Sequence, residues 1–283
     1  VRDGDAPDST LTSPALFEDA AREAARRPGD LLRRRFRDTS RLRIEAKGRR
    51  DYVTEVDREA EELVVGYLRE RFPDHRILAE ESYAKSGDEI AKAGEESSHR
   101  WIVDPLDGTT NFIHGVPTFA VSVALEDDSG LLAGAIYDPV HDETFHARRG
   151  GGSRLDGERI ECSRVTELDD ALLATGFPFR DLSRADGYLR AFEAFMRTTA
   201  GIRRAGAASL DLALTACGRY DGFWEVGLHP WDLAAGALLI REAGGRVTDV
   251  IGGDSFLESG EILAAGPALH ETMLEVTRGA FGH

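Results

Sequence analysis

Trp101-Ile102-Val103-Asp104-Pro105-Leu106-Asp107-Gly108-Thr109-Thr110-Asn111-Phe112 is the stretch on which the reading of this chain turns. Trp101-Ile102-Val103 has the apolar run of a buried strand. Pro105 biases Asp104 towards an extended backbone and is expected to stop the strand there. Two carboxylates, Asp104 and Asp107, then lie three residues apart on a tight turn. Gly108 permits close backbone approach, and the amides of Gly108, Thr109 and Thr110 can face an anion. Carboxylates beside an amide-lined turn suit a metal ion that bridges protein and phosphate. The same residues suit an Asp-rich turn that caps the next element, and the stretch alone leaves both readings open.

Around this stretch the pattern is mixed. Ser13-Pro14 is a helix start, and Pro28-Gly29 predicts a kink or a break soon after. Residues 44–53 read as a polar loop or a hairpin. Thr54-x-x-Asp57 resembles a capping box, with an amphipathic helix from Val56 to Phe72. Arg76 to Ala79 is a short strand that delivers Glu80, and residues 84–99 read as a mobile surface loop. Beyond 101, strands dominate: Phe119 to Leu125, Leu131 to Tyr137, Thr144 to Ala147, and a tight hairpin at Asp156-Gly157. Helical spacing returns at 185–196, 209–216 and 231–242, the last ended by Gly244-Gly245, and a final helix starts at Pro267. The order predicts an α+β fold of helix and sheet layers with two closely packed lobes, approximately 14–150 and 151–283, in one domain over 1–283.

Composition excludes several function classes. The formal net charge is -16, and lysine occurs only at 47, 85 and 92. Such a chain is unsuited to nucleic acid or an anionic membrane surface, which are bound through clustered basic residues. No apolar stretch reaches the length of a membrane span. Val1-Arg2-Asp3-Gly4-Asp5 lacks the pattern of a signal peptide. Cys162 and Cys217 stand singly, which predicts neither a zinc site nor a disulfide framework and fits a cytoplasmic protein.

Asp104-Pro105-Leu106-Asp107-Gly108-Thr109-Thr110-Asn111 resembles the signature of the inositol monophosphatase family. Trp231-Asp232-Leu233-Ala234-Ala235-Gly236, running on to Glu242-Ala243-Gly244-Gly245, resembles its second signature. Glu80-Glu81-Ser82 and Asp51 to Asp57 match two further motifs in order. Ala174-Thr175-Gly176-Phe177-Pro178-Phe179 and Asp221 to Leu228 resemble the bacterial branch.

The resemblance implies a layered αβαβα sandwich and a magnesium-dependent phosphatase with two or three ions, manganese being possible. It implies metal ligation by Glu80, Asp104, the carbonyl of Leu106, Asp107 and Asp232. It pairs Asp57 with Thr109 to orient the attacking water, with Glu80 also in the catalytic group. Phosphate and substrate contacts would come from Asp107, Gly108, Thr109, the turn at Gly206-Ala207, Glu225 and Lys47. Ala207 departs from the Thr or Ser common there, which removes one hydroxyl. Hard oxygen ligands without His or Cys also select magnesium or manganese over zinc.

Each residue has a plainer reading. Glu80 is otherwise a solvated acid, Asp57 a capping residue, Asp232 a helix cap, Glu225 an acid on a strand edge and Lys47 a surface lysine. His114 and His229 are expected to pack or hydrogen-bond rather than bind metal. The expected substrate is a small phosphorylated polyol, myo-inositol 1-phosphate first. Fructose 1,6-bisphosphate, histidinol phosphate and a 3′-phosphonucleotide are the rivals within the enzyme class. A protein-interaction module that keeps the fold is the rival outside it. A homodimer and lithium sensitivity are further implications of the resemblance.

Overall fold

The computed structural model describes residues 13–38, 42–48, 51–87, 97–179 and 182–282. Helix α1 (Pro14–Arg26) starts on Ser13, whose hydroxyl accepts from the Leu16 amide. The break expected at Pro28-Gly29 separates it from α2 (Gly29–Phe36). A hairpin of β1 (Ile44–Gly48) and β2 (Asp51–Thr54) leads into α3 (Glu55–Arg71). The capping box at the start of α3 is complete: Asp57 accepts from the Thr54 amide at 2.8 Å, and the Thr54 hydroxyl accepts from Val56 at 3.1 Å.

Next come β3 (Arg76–Ala79), α4 (Glu80–Ser86), β4 (Arg100–Asp107) and α5 (Thr109–Ile113). Two expectations are corrected here. The loop expected at 84–99 begins later, because residues 84–86 complete α4, which Gly87 ends in the left-handed conformation; residues 88–96 lie outside the described ones. Pro105 does not stop its strand, since β4 runs on to Asp107 through a register shift between Asp104 and Asp107. A proline has no N–H to lose inside a bulge, and its fixed φ suits extended backbone.

The meander continues with β5 (Ala120–Asp127), β6 (Gly130–Asp138), β7 (Glu143–Arg148), β8 (Gly152–Leu155) and β9 (Glu158–Arg159). Strands β3 to β9 form one sheet in sequence order, parallel only at β3–β4. This sheet runs on past residue 150, the expected lobe boundary. The rest of the chain gives β10 (Leu172–Thr175), α6 (Ala185–Thr198), β11 (Gly201–Arg203), α7 (Ala208–Ala216), β12 (Gly222–Val226), α8 (Pro230–Glu242), β13 (Arg246–Thr248), α9 (Phe256–Ser259), β14 (Glu261–Ala265) and α10 (Pro267–Phe281). Its five strands pair in the order β11-β10-β12-β14-β13.

Alternation along the strands builds the layers, because successive side chains leave a sheet on opposite faces. Trp101 and Val103 face a core with α1 and α3, whereas Ile102 between them faces α7 and α8. Phe223 and Ala264 face the same α7–α8 layer from the second sheet. Trp224 and Leu263 face α6 and α10 on the outside. The result is the αβαβα sandwich. The middle layer is apolar all round, as a helix between two sheets must be. It also packs closely: a Cβ on Gly134 of β6 would lie 3.2 Å from the Ala235 Cα of α8. Both cysteines are free thiols, and among the described residues no helix is long and apolar enough to cross a membrane.

Two histidines tie stability to pH. His75 stacks on His99 with ring centroids 4.7 Å apart and accepts from the Trp101 indole. His270 is fully buried against Thr248. Burial pushes both imidazoles down to about 4 from an ordinary 6.5. Between those values the unfolded chain binds protons that the folded one refuses. Their contribution is therefore full above pH 6.5 and lost as pH falls towards 4. The urea midpoint of His270→Gln is expected to drop less than that of wild type between pH 7 and 5. Equal drops in the two proteins would remove His270 from the account.

Candidate active site

In a regular strand, residues three apart face opposite sides of the sheet. Asp104 pairs with Ser122 and Asp107 with Ala120, so β4 carries one extra residue between them. That bulge turns both carboxylates to one side. Asp232 joins them from α8. It stands at the third helical position rather than at the cap itself, and its Oδ2 accepts from the His229 amide at 2.8 Å. Asp104, Asp107 and Asp232 each present an oxygen, all within 4.8 Å of one another, and all three residues are buried.

Other contacts hold the cluster still. Asp104 Oδ1 accepts from the Leu106 amide at 2.9 Å. Asp107 Oδ2 accepts from the Ser209 amide at 2.8 Å and from its hydroxyl at 2.6 Å. Gly108 has a φ of 93°, and a Cβ there would lie 2.9 Å from the Thr118 carbonyl, so both conformation and space require glycine. Asn111 donates to the carbonyls of Thr118 and Ala205, which fastens α5 to the turn before α7.

The electrostatics follow from the crowding. Burial raises the Asp104 carboxyl well above its usual range, and Glu80, Asp107 and Asp232 raise it further. Burial and the neighbouring Asp232 push Asp107 up to about 7. Two like charges at 4 Å repel by about 4 kcal/mol at an effective dielectric of 20. A cluster of hard oxygens with this cost is matched to cations, and its donor set suits a hard divalent ion.

A cavity of 410 Å³ collects most of the residues singled out in the sequence. Glu80, Asp104, Leu106, Asp107, Gly108, Thr109, Gly206, Glu225 and Asp232 line it. Asp57 lies just behind: Thr109 Oγ1 is 2.7 Å from Asp57 Oδ1 and 3.0 Å from the Leu106 carbonyl. Burial raises the Asp57 carboxyl. Glu80 opens α4 directly after β3. Glu225 is on β12, between β10 and β14, so it is not on a strand edge.

One candidate is not brought in. Ala207 is fully buried behind Gly108, and Gly206 and Ala208 line the cavity in its place. A hydroxyl at 207 would therefore meet packed atoms before it met the cavity. Lys47 lies on β1, and its side chain is outside the described residues; Tyr52 from the same hairpin does line the cavity. His114 lines the cavity, while the His229 ring stacks on Trp231 at 4.7 Å.

Three residues escaped the sequence reading. Ser209 clamps Asp107 from 102 residues away. Arg204 lies over the rings of Phe177 and Phe179, at 5.4 and 5.2 Å, and all three line the cavity. Asp211 is buried with its Oδ1 unpartnered, and burial holds its carboxyl well above the usual range. One signal for Asp211 was present: it is the lone acid in the apolar run Ala208-Ser209-Leu210-Asp211-Leu212-Ala213-Leu214.

Comparison with known proteins places the chain. The profile of the inositol monophosphatase family matches residues 14–280. A Nus factor SuhB from Pseudomonas aeruginosa is 49% identical over 256 residues, which cover 90% of this chain and 93% of that protein. An inositol-1-monophosphatase from Mesorhizobium japonicum is 42% identical over 256 residues, covering 90% of this chain and 94% of that protein. The crystal structure of the extragenic suppressor protein SuhB from Bartonella henselae superposes with a TM-score of 0.87 at 42% identity, over 93% of this chain and 98% of that one.

Proposed function

The chain belongs to the inositol monophosphatase family, and we propose that it hydrolyses a phosphate monoester of a small polyol with divalent metal ions, magnesium first. Myo-inositol 1-phosphate is the preferred substrate in this reading. The observation that carries it is the convergence of Asp104, Asp107 and Asp232 beside the Thr109–Asp57 pair in one cavity. Asp104, Asp107 and Asp232, with Glu80 and the Leu106 carbonyl, would hold two or three ions, and manganese suits the same donors. Ions bound there supply positive charge to the phosphoryl oxygens and to the departing oxygen.

The chain's own groups do the rest. Thr109 has one hydroxyl proton, and its shorter contact is to Asp57. With that proton committed, its lone pairs can hold a water in line with phosphorus. The water's proton passes towards the Thr109–Asp57 pair as its oxygen bonds to phosphorus and the ester P–O bond breaks, and the departing alkoxide takes a proton from solvent to leave as the alcohol. Amides of Gly108 and Thr109 donate to the phosphate oxygens, Glu225 accepts from substrate hydroxyls, and Lys47 on the adjoining hairpin contributes charge.

A phosphate-release panel tests this reading. Myo-inositol 1-phosphate is expected to turn over fastest among it, fructose 1,6-bisphosphate, histidinol phosphate, a 3′-phosphonucleotide and an aryl phosphate. Chelator should stop release, magnesium should restore it, and lithium should slow it. Full activity in excess chelator would sink the metal-dependent mechanism. A faster rival would reassign the substrate.

A second reading has its own support, since several relatives are Nus factors, including the one at 49% identity. A role in a protein assembly would then accompany the chemistry. A variant without phosphatase activity that still replaces SuhB in a strain lacking it would establish that role. Failure with normal expression would remove it.

A further inference from the structure

Resting on the phosphatase reading above, we infer that Gly176 is the specificity-determining position of this cavity: the missing side chain there is what lets the Glu225 carboxylate lie against the end of β10 and face a hydroxyl-rich leaving group. Strands β10 and β12 run parallel with Thr175 opposite Trp224, which brings the next residues, Gly176 and Glu225, side by side. A Cβ on Gly176 would meet Glu225 Oε1, Cδ and Oε2 as its three nearest atoms, each well inside the 3.0 Å that real contacts do not cross. The φ of Gly176 is not in the left-handed region, so an alanine is permitted there by the backbone. Crowding by alanine thus falls first on the carboxylate.

That carboxylate is free to respond. Among the described residues none donates a hydrogen bond to it, and burial raises its carboxyl well above the usual range. Contact with Gly176, rather than a bonded partner, therefore sets its place. Its oxygens stay available at the cavity wall, where an unsatisfied buried acceptor gains from a ligand hydroxyl. Phe177 follows Gly176 directly and carries Arg204 over its ring. The wall so formed combines an acceptor, a guanidinium donor and the rings of Phe177 and Phe179, a match for a ring polyol.

The test uses full-length Gly176→Ala, Glu225→Ala and the double variant, with myo-inositol 1-phosphate and 4-nitrophenyl phosphate as substrates. Gly176→Ala is expected to lower the ratio of kcat/KM for polyol over aryl ester by about ten-fold, mainly through KM. In the Glu225→Ala background the same change should have no further effect, because residues that act through one contact are not additive. A ratio unchanged by Gly176→Ala, or lowered equally in both backgrounds, would overturn the inference. A crystal structure of Gly176→Ala should show the Glu225 carboxylate displaced with β10 in place; a shifted β10 and an unmoved carboxylate would also overturn it. If wild type hydrolyses neither ester, the phosphatase reading fails by itself. Calorimetric binding of inositol 1-phosphate to the same four proteins then decides on Gly176, by weaker binding that depends on Glu225 or by its absence.

Discussion

Asp104→Asn is expected to lower phosphate release by at least about 1,000-fold, or about 4 kcal/mol of transition-state stabilisation, while the protein stays folded. The substitution keeps the shape and the oxygen that accepts from the Leu106 amide. It removes a charge that is fully buried and surrounded by Glu80, Asp107 and Asp232. In the metal-free protein that charge is a cost, through lost hydration and through repulsion. The metal-free variant is therefore expected to melt no lower than wild type. In wild type, magnesium should raise the melting temperature, because an ion that binds only the folded state stabilises it by mass action. In the variant that rise should shrink or vanish. Calorimetric melts with and without magnesium, beside steady-state rates, read both effects. A variant with most of its activity, or with the full magnesium-dependent rise, would remove Asp104 from the ion-binding group.

Thr109→Ala is expected to lower kcat by about 100-fold with KM little changed, since a group that orients the attacking water acts mainly in the transition state. Asp57→Asn should do the same and also cost about 1 kcal/mol of stability, because one carboxylate both receives the Thr109 proton and completes the capping box with Thr54. The two roles separate cleanly. Thr109→Ser keeps the hydroxyl and should recover most of the rate, which a purely structural threonine would not require. Chemical melts of Asp57→Asn report the cap, and single-turnover rates report the chemistry. Should Asp57→Asn melt lower and still turn over at the wild-type rate, capping is its whole function.

Both predictions concern residues legible in the sequence, though for different reasons. Asp57 could be marked because Thr54-x-x-Asp57 acts within a single turn of helix. Its partnership with Thr109 came only from the family resemblance, as did the grouping of Glu80 and Asp232 with Asp104 and Asp107, whose own turn already suited a metal ion. Gly206-Ala207-Ala208 shows the limit of that route. Gly206 and Ala208 of this turn line the cavity, yet Ala207 between them is packed behind Gly108. A motif gives the order of residues along the turn, but the side each one faces depends on what packs behind it.

The features legible in the sequence are local. The helix starts at Ser13-Pro14 and Thr54, the break at Pro28-Gly29, the hairpin at Asp156-Gly157 and the acid-rich turn at Asp104 all rest on interactions among residues within about four positions. The tertiary structure alone decided the rest. The bulge at Pro105 aims Asp104 and Asp107 the same way because β4 must stay paired with β5 on both sides of it. Ser209 reaches Asp107 because α7 and α8 are pressed between two sheets, and Glu225 reaches Gly176 because β10 and β12 pair within one of them, so residues far apart in the chain meet around one cavity. Such convergence comes from burying apolar faces on both sides of a shared helix layer, a long-range effect that short-range sequence pattern does not carry.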